Sequence, residues 1–302
     1  MSSDKADLYT RITNRIVHAL EQGVRPWLQP WNSEHAAGPI TRPMRHGGAP
    51  YRGINVVMLW GEAMERGFSC PIWMTFRQAL TLGGNVRKGQ HGTQVVYANR
   101  IRRTETGDNG QDVEREIPFL KGYTVFNCEQ IDGLPAHYLA PAAQQLNPDQ
   151  RIAAAETFFG NTGADIRHGG AQAYYNVAAD FVQMPNFEMF HDAESFYGTL
   201  GHEICHWTRH GKRLNRDFGR KRWGDQGYAA EELVAEIGSA FLSADLGLAL
   251  EPRADHASYI ANWIATLKSS TRAIFTAAAH AERAVGYLHA LQPHAAMIEE
   301  AG

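Results

Sequence analysis

Cysteine is scarce: three residues in 302, at positions 70, 128 and 205, with neither a CxxC pair nor a zinc-ribbon spacing among them. That excludes a disulfide-stapled scaffold and predicts three reduced packing residues. No apolar run reaches 18 residues, so no membrane-spanning helix is expected, and no charged-then-apolar leader opens the chain. The expectation is a cytoplasmic protein with no membrane partner. Internal repeats and low-complexity tracts are also missing. The net charge is only −3, but it hides an asymmetry. Residues 8–103 hold 13 Lys/Arg and four acids, a balance of +9; residues 146–302 hold 13 Lys/Arg and 19 acids, a balance of −6. Two units with different partners are implied, the first partner being a polyanion.

The most informative feature present is His202-Glu203-Ile204-Cys205-His206, an HExxH pentapeptide. A random chain of this composition would contain it roughly a few hundredths of the time, so its context matters. Phe196, Leu200 and Ile204 recur at steps of four, Asp192 is available as a cap, and no proline intervenes. The spacing predicts a helix from Ala193 to Arg209, stopping near Gly211. On a helix, His202 and His206 fall on one face and can share a metal ion, with Glu203 beside them as a proton carrier. His210 lies two turns beyond His202, about 12 Å along the axis, and is too far to share that ion. Cys205 sits inside the motif but faces another side of the helix.

A catalytic zinc takes three protein ligands as a rule, so one more is needed. In the stretch from Tyr228 to Leu242, Glu232 and Glu236 share a helix face among Leu, Val, Ile and Ala. A carboxylate embedded in such surroundings is costly unless it meets a cation, and either acid qualifies on that ground. HExxH followed by these acids resembles the zincin metallopeptidases of the glutamate-ligand type. By that resemblance Glu232 is the third zinc ligand and Glu236 orients a ligand histidine, although the family's second acid is Asp. Tyr228 and His191 are candidates to steady an oxyanion.

In the basic N-terminal part, large rings alternate with cations and loop formers: Pro26-Trp27-Leu28-Gln29-Pro30-Trp31, Tyr51-Arg52-Gly53-Ile54-Asn55 and Pro71-Ile72-Trp73-Met74. Single strands expose base faces that duplexes hide, and rings in a basic groove hold them by stacking and phosphate contacts. The candidate single-stranded-DNA contacts are Trp27, Trp31, Arg42, Arg45, Tyr51, Arg52, Asn55, Trp73 and, in a glycine-flanked loop, Arg87 and Lys88. Trp60, among apolar neighbours, reads as core. These stretches, with Lys121-Gly122-Tyr123-Thr124-Val125-Phe126-Asn127, Gln130-Ile131-Asp132-Gly133-Leu134-Pro135, His202 to Arg209 and Glu231 to Glu236, resemble the ArdC-type antirestriction proteins over nearly the whole chain. The resemblance implies an N-terminal domain that binds single-stranded DNA, a C-terminal zincin-like domain, and protection of DNA entering a bacterial host by conjugation.

The expected architecture is α+β in two domains, residues 1–135 and 149–302, joined by a linker at 136–148. Helices are predicted over 6–22, 54–66, 147–159, 193–209, 228–242, 256–270 and 272–291, with a short one opened by a capping box at Thr75. Thr93 to Arg103 and Phe119 to Gln130 read as strands joined by a polar turn, and Ala171 to Met184 as a strand or hairpin beside the cleft. Three functions compete: a zinc peptidase acting on a host protein, a DNA-coating protein whose zincin fold does not turn over, and, with least support, a zinc nuclease. Nucleases commonly use carboxylate-rich two-metal clusters, and this pattern supplies one two-histidine site.

Overall fold

The computed structural model describes residues 3–27, 41–106, 112–138, 148–219, 225–248 and 257–293. The chain divides into two compact units, Met1–Arg15 with Pro43–Pro141, and Ile16–Arg42 with Ala142–Gly302. Both mix helix and sheet, as the α+β expectation requires. The division differs from a single boundary near residue 140, because residues 16–42 belong with the second unit. Most of the expected linker, residues 139–147, lies outside the described residues. Tyr138, at its start, packs into the core of the first unit.

Helix α1 (Ser3–Glu21) counts with the first unit as far as Arg15 and with the second from Ile16, and its Leu8, Ile12, Ile16 and Leu20 are all buried, as their four-residue spacing predicts. Then come β1 (Met44–Arg45), α2 (Ile54–Arg66), β2 (Ile72–Met74), α3 (Phe76–Thr81), β3 (Asn85–Val86), β4 (Thr93–Thr106), β5 (Asp112–Asn127) and β6 (Ile131–Asp132). Helix α2 closes at Gly67, where φ is 69° and a glycine avoids left-handed strain. Helix α3 opens with the capping box read from the sequence: Gln78 N donates to Thr75 Oγ1 at 3.3 Å, and Thr75 N donates to Gln78 Oε1 at 2.8 Å.

One sheet has the order β1-β2-β5-β4, and β3 pairs with β6. Strands β4 and β5 pair from Thr93↔Val125 to Thr106↔Asp112, so both run into the segment expected to be a polar turn. Backbone pairing satisfies polar residues as well as apolar ones, and composition therefore misplaced the strand ends. The β2–β5 pairing, Trp73↔Asn127, also brings Cys70 to Cys128, 58 residues away, and the two form a disulfide. The expectation of three reduced cysteines fails for this pair, because sequence spacing carries no information about a contact made across a sheet.

The second unit contains α4 (Pro148–Gly160), β7 (Asp165–His168), β8 (Tyr174–Asn176), β9 (Phe181–Met184), α5 (Ala193–Trp207), α6 (Gln226–Leu246), α7 (Ala257–Ser269) and α8 (Ala273–Ala290). The expected hairpin is β8 and β9, with β7 added parallel to β9, giving the order β7-β9-β8. The apolar faces of α5, α6 and α8 form the core, where Ile204, Leu233, Ile237, Phe241, Ile274 and Ala281 are buried. Among the described residues, no helix is long and apolar enough to cross a membrane.

Candidate metal centre

Helix α5 starts where the sequence places its cap: Asp192 accepts a hydrogen bond from Ser195 N at 2.7 Å. Helix α6 starts in the same way, with Asp225 accepting from Tyr228 N at 2.8 Å. The two helices pack closely because small residues line their crossing. Ser239 Oγ donates to the Gly198 carbonyl at 2.8 Å, and a Cβ on Gly238 would lie 2.6 Å from Cys205 Sγ. This approach sets a carboxylate of α6 against the histidines of α5.

His202, His206 and Glu232 each direct one ligand-type atom to a common point, with all three atoms within 4.8 Å of one another. The two Nε2 atoms are 3.2 Å apart, and Glu232 places Oε2 at 3.5 Å from His202 Nε2 and Oε1 at 3.5 Å from His206 Nε2. Glu203, the next residue on α5, is 4% exposed. Behind the rings the Nδ1 atoms meet other acids. His206 Nδ1 lies 3.1 Å from Glu231 Oε1. Arg216 grips that carboxylate with Nε on Oε2 at 2.8 Å and Nη2 on Oε1 at 2.7 Å, and also donates to the Cys205 carbonyl at 2.9 Å. His202 Nδ1 faces Glu236 Oε2 at 3.4 Å, and Arg25 Nη1 stands 3.4 Å from the other oxygen of Glu236.

The electrostatics agree with the geometry. Burial pushes the Glu231 carboxyl up, but hydrogen bonds from Arg216 and His206 more than offset it and hold the group down to about 2. Burial likewise opposes the charge of Glu232, yet the neighbouring histidines hold it well below the usual carboxylate range. For His206, burial disfavours charge, while Glu232 and Glu231 raise it to about 10. The space between the rings thus favours a positive charge. With both Nδ1 edges turned to carboxylates, the two Nε2 atoms and a third carboxylate converge, a set of ligand atoms that suits a cation. Burial pushes the Cys205 thiol up to about 12, so it stays neutral inside the helix pair.

The other candidates divide sharply. Tyr228 lies beside Glu232, its hydroxyl 3.1 Å from that of Tyr259; burial, then the charge of Glu232, raises its phenol well above the usual range. His191 is exposed just before the cap of α5, whose first residue lies about 14 Å along the axis from His202. His210 is not among the three converging residues and pairs with Asp180 at 3.8 Å.

Several proposed DNA contacts are core residues. Trp27 and Trp73 are each 1% exposed and Tyr51 3%, so none offers a ring face to a base. Trp27 packs edge-on against Trp263 in the second unit. Arg42 is buried there too, with Nε on Asp245 Oδ1 at 2.6 Å and Nη1 on Glu282 Oε2 at 2.8 Å. Asn55 spends its amide on the backbone of Val96, giving and receiving at 2.8 Å. Arg45, Arg52, Arg87 and Lys88 are exposed in the first unit, and Trp60 is core as expected. Trp31 lies outside the described residues.

Sequence reasoning missed Glu231, Arg216 and Arg25. The available signal was three acids within six residues of an otherwise apolar helix, each of which needs a partner once buried.

Two family descriptions match the chain: the N-terminal domain of anti-restriction factor ArdC over residues 6–126, and a zincin-like metallopeptidase over residues 153–280. The protein y4eC of Sinorhizobium fredii is 42% identical over 98% of this chain and 96% of its own length. A DNA primase TraC of Escherichia coli is 34% identical over 97% of this chain, which spans 28% of that longer protein. The metal-free crystal structure of antirestriction ArdC from plasmid R388 matches at a TM-score of 0.79 and 43% identity, covering 94% of this chain and 97% of the other. Its Mn(II)-bound structure matches at 0.76 and 42%, with the same coverage. By this whole-length likeness, and by the order of its two domains, the chain belongs to the ArdC family of antirestriction proteins, with a zincin-like second domain.

Proposed function

We propose that this protein binds single-stranded DNA through its first unit and, in its second, holds a zinc ion with which it hydrolyses a host protein, protecting incoming conjugative DNA. The observation that carries this reading is the convergence of His202, His206 and Glu232 beside a buried Glu203. Two imidazoles and one carboxylate form the ligand set of many catalytic zinc sites, and the Mn(II)-bound relative favours a divalent ion at this point. Bound zinc would polarise a peptide carbonyl and acidify a water molecule. Glu203 takes the proton from the attacking water and passes it to the leaving amine. Tyr228, beside Glu232, is the better placed of the two residues considered for steadying the oxyanion. Strand β8, at an edge of the three-stranded sheet and packed near α5, offers backbone groups to an extended peptide.

For the DNA-binding half, the exposed cations Arg45, Arg52, Arg87 and Lys88 supply phosphate contacts. That a protein named as a DNA primase contains a region similar to this chain supports a role on DNA.

The test compares wild type with Glu203→Gln in a restriction-protection assay, after showing equal zinc content and equal oligonucleotide binding. Peptide hydrolysis should fall by roughly 10²–10⁴-fold, and protection with it. Protection that survives the substitution would make the protein a DNA-coating shield in which the zincin fold does not turn over.

A further inference from the structure

The second unit includes a stretch that sequence comparison groups with the ArdC N-terminal domain. That domain matches residues 6–126, yet residues 16–42 belong to the compact unit built around the metal centre. Three contacts fasten this arm: Trp27 against Trp263, Arg42 on Asp245 and Glu282, and Glu21 with Lys268 at 2.6 Å. A fourth reaches the centre itself. Arg25, 11% exposed, sets Nη1 3.4 Å from Oε1 of Glu236, whose Oε2 stands 3.4 Å from His202 Nδ1.

We propose that Arg25 is a positioning residue of the metal centre, supplied by the N-terminal arm. It holds the Glu236 carboxylate so that one oxygen fixes the His202 ring with Nε2 turned toward His206 and Glu232. This inference rests on the proposed metal site. The physical reason is the pairing of a buried carboxylate. The two oxygens of Glu236 face different partners, one His202 and the other Arg25, so the guanidinium acts on the orientation in which the carboxylate meets the ring. The second histidine has a tighter counterpart, His206 to Glu231 to Arg216, in which Nδ1 is hydrogen-bonded at 3.1 Å, whereas His202 Nδ1 meets Glu236 at ion-pair distance without a hydrogen bond. Each imidazole is therefore backed by a carboxylate and then a guanidinium, one from the zincin-like domain and one from outside its matched range of 153–280.

Arg42 pairs with Asp245 and Glu282, whereas the acids facing His202 and His206 are Glu231, Glu232 and Glu236. Arg42 therefore separates docking of the arm from support of the histidine.

The experiment uses the full-length protein as wild type, Arg25→Gln, Arg25→Lys and Arg42→Gln. Zinc affinity is measured by competition with a chromophoric chelator, the visible spectrum of the cobalt(II)-loaded form reports ligand geometry, and thermal melting is recorded without metal. Arg25→Gln should weaken zinc binding about tenfold or more and change the cobalt spectrum, with little change in metal-free melting. Arg25→Lys should recover part of both. Arg42→Gln should lower the melting temperature and leave zinc affinity within about twofold. The proposal is overturned if Arg25→Gln binds zinc as wild type does, or if Arg42→Gln weakens zinc binding equally, which would make the effect one of arm docking alone. A wild-type protein that binds no zinc would instead remove the metal site on which the inference stands.

Discussion

The second unit gathers its buried charge around one centre, whereas the first buries Glu62 between Arg15 and Arg66 and keeps its candidate DNA-binding cations outside. Around His202 and His206, and besides the buried Glu203, three carboxylates and two guanidinium groups sit deep in the fold, each facing a partner of opposite charge or a ring nitrogen. In the first unit Tyr51 and Trp73 are buried, while Arg45, Arg52, Arg87 and Lys88 stay in solvent. Desolvated charge is stable only when its geometry is fixed, so the first arrangement suits a single ion held in one place. Exposed cations on a surface suit a long polyanion that can be gripped at many points. The two regions should therefore respond to substitution in different ways and by different amounts.

The largest effect belongs at the centre itself. Glu232→Ala should abolish stoichiometric zinc binding, whereas Glu236→Ala should bind zinc roughly 10–100-fold more weakly, as loss of an outer partner does. Metal analysis after dialysis and a chelator titration read the two outcomes. Full zinc in Glu232→Ala with none in Glu236→Ala would exchange the two roles. Next comes Arg216→Met, which strands the Glu231 carboxylate in the interior. It should cost about 3–5 kcal/mol in urea unfolding, and Arg216→Met combined with Glu231→Leu should regain much of that because no charge is then left alone. Equal losses in the single and double variants would show that packing, not charge, is what the pair contributes.

What could be read from the sequence follows the same division. His202 and His206 are on one helix, so four-residue spacing fixes their relation whatever surrounds them; the Asp192 cap and the Thr75 capping box are equally local, and all three are found where the spacing put them. Glu231, Arg216 and Arg25 come from three separate segments and meet only when the chain folds. Ring exposure is also a tertiary property. The same Trp-rich pattern that would build a stacking platform builds a core when another tryptophan, here Trp263, packs against it. The Cys70–Cys128 pair escaped notice for that reason too.

Asp192 tests the local side of the comparison with a smaller effect. Asp192→Ala should lower stability by about 1 kcal/mol by removing the cap of the helix that bears the histidines, and Asp192→Asn by less. Burial raises this carboxyl, but hydrogen bonds from Ser195, with the neighbouring His191, more than offset it and lower it below its ordinary value. A depressed folded-state value means that the charge stabilises the fold above the unfolded aspartate range, near pH 4, and that this contribution is lost as pH falls through the lower folded value. Melting curves taken between neutral pH and pH 3 should converge for wild type and Asp192→Asn at the acid end. Parallel curves across that range would place the cap's stabilisation in its hydrogen bonds alone.

The smallest change in stability should come from the exposed cations, where the change in binding is nonetheless specific. Arg52→Ala and Lys88→Ala should each shift unfolding by no more than about 0.5 kcal/mol, since an exposed side chain gives up little desolvated contact. Binding to a single-stranded oligonucleotide should weaken, and the slope of log affinity against log salt should fall by roughly one per phosphate contact removed. Because that slope counts released counterions, it separates a phosphate contact from a fold defect, which would lower the active fraction and leave the slope unchanged. A wild-type slope in both variants would place the DNA grip elsewhere on the first unit, and a steep slope that survives loss of Arg45 and Arg87 as well would take it off this set of cations altogether.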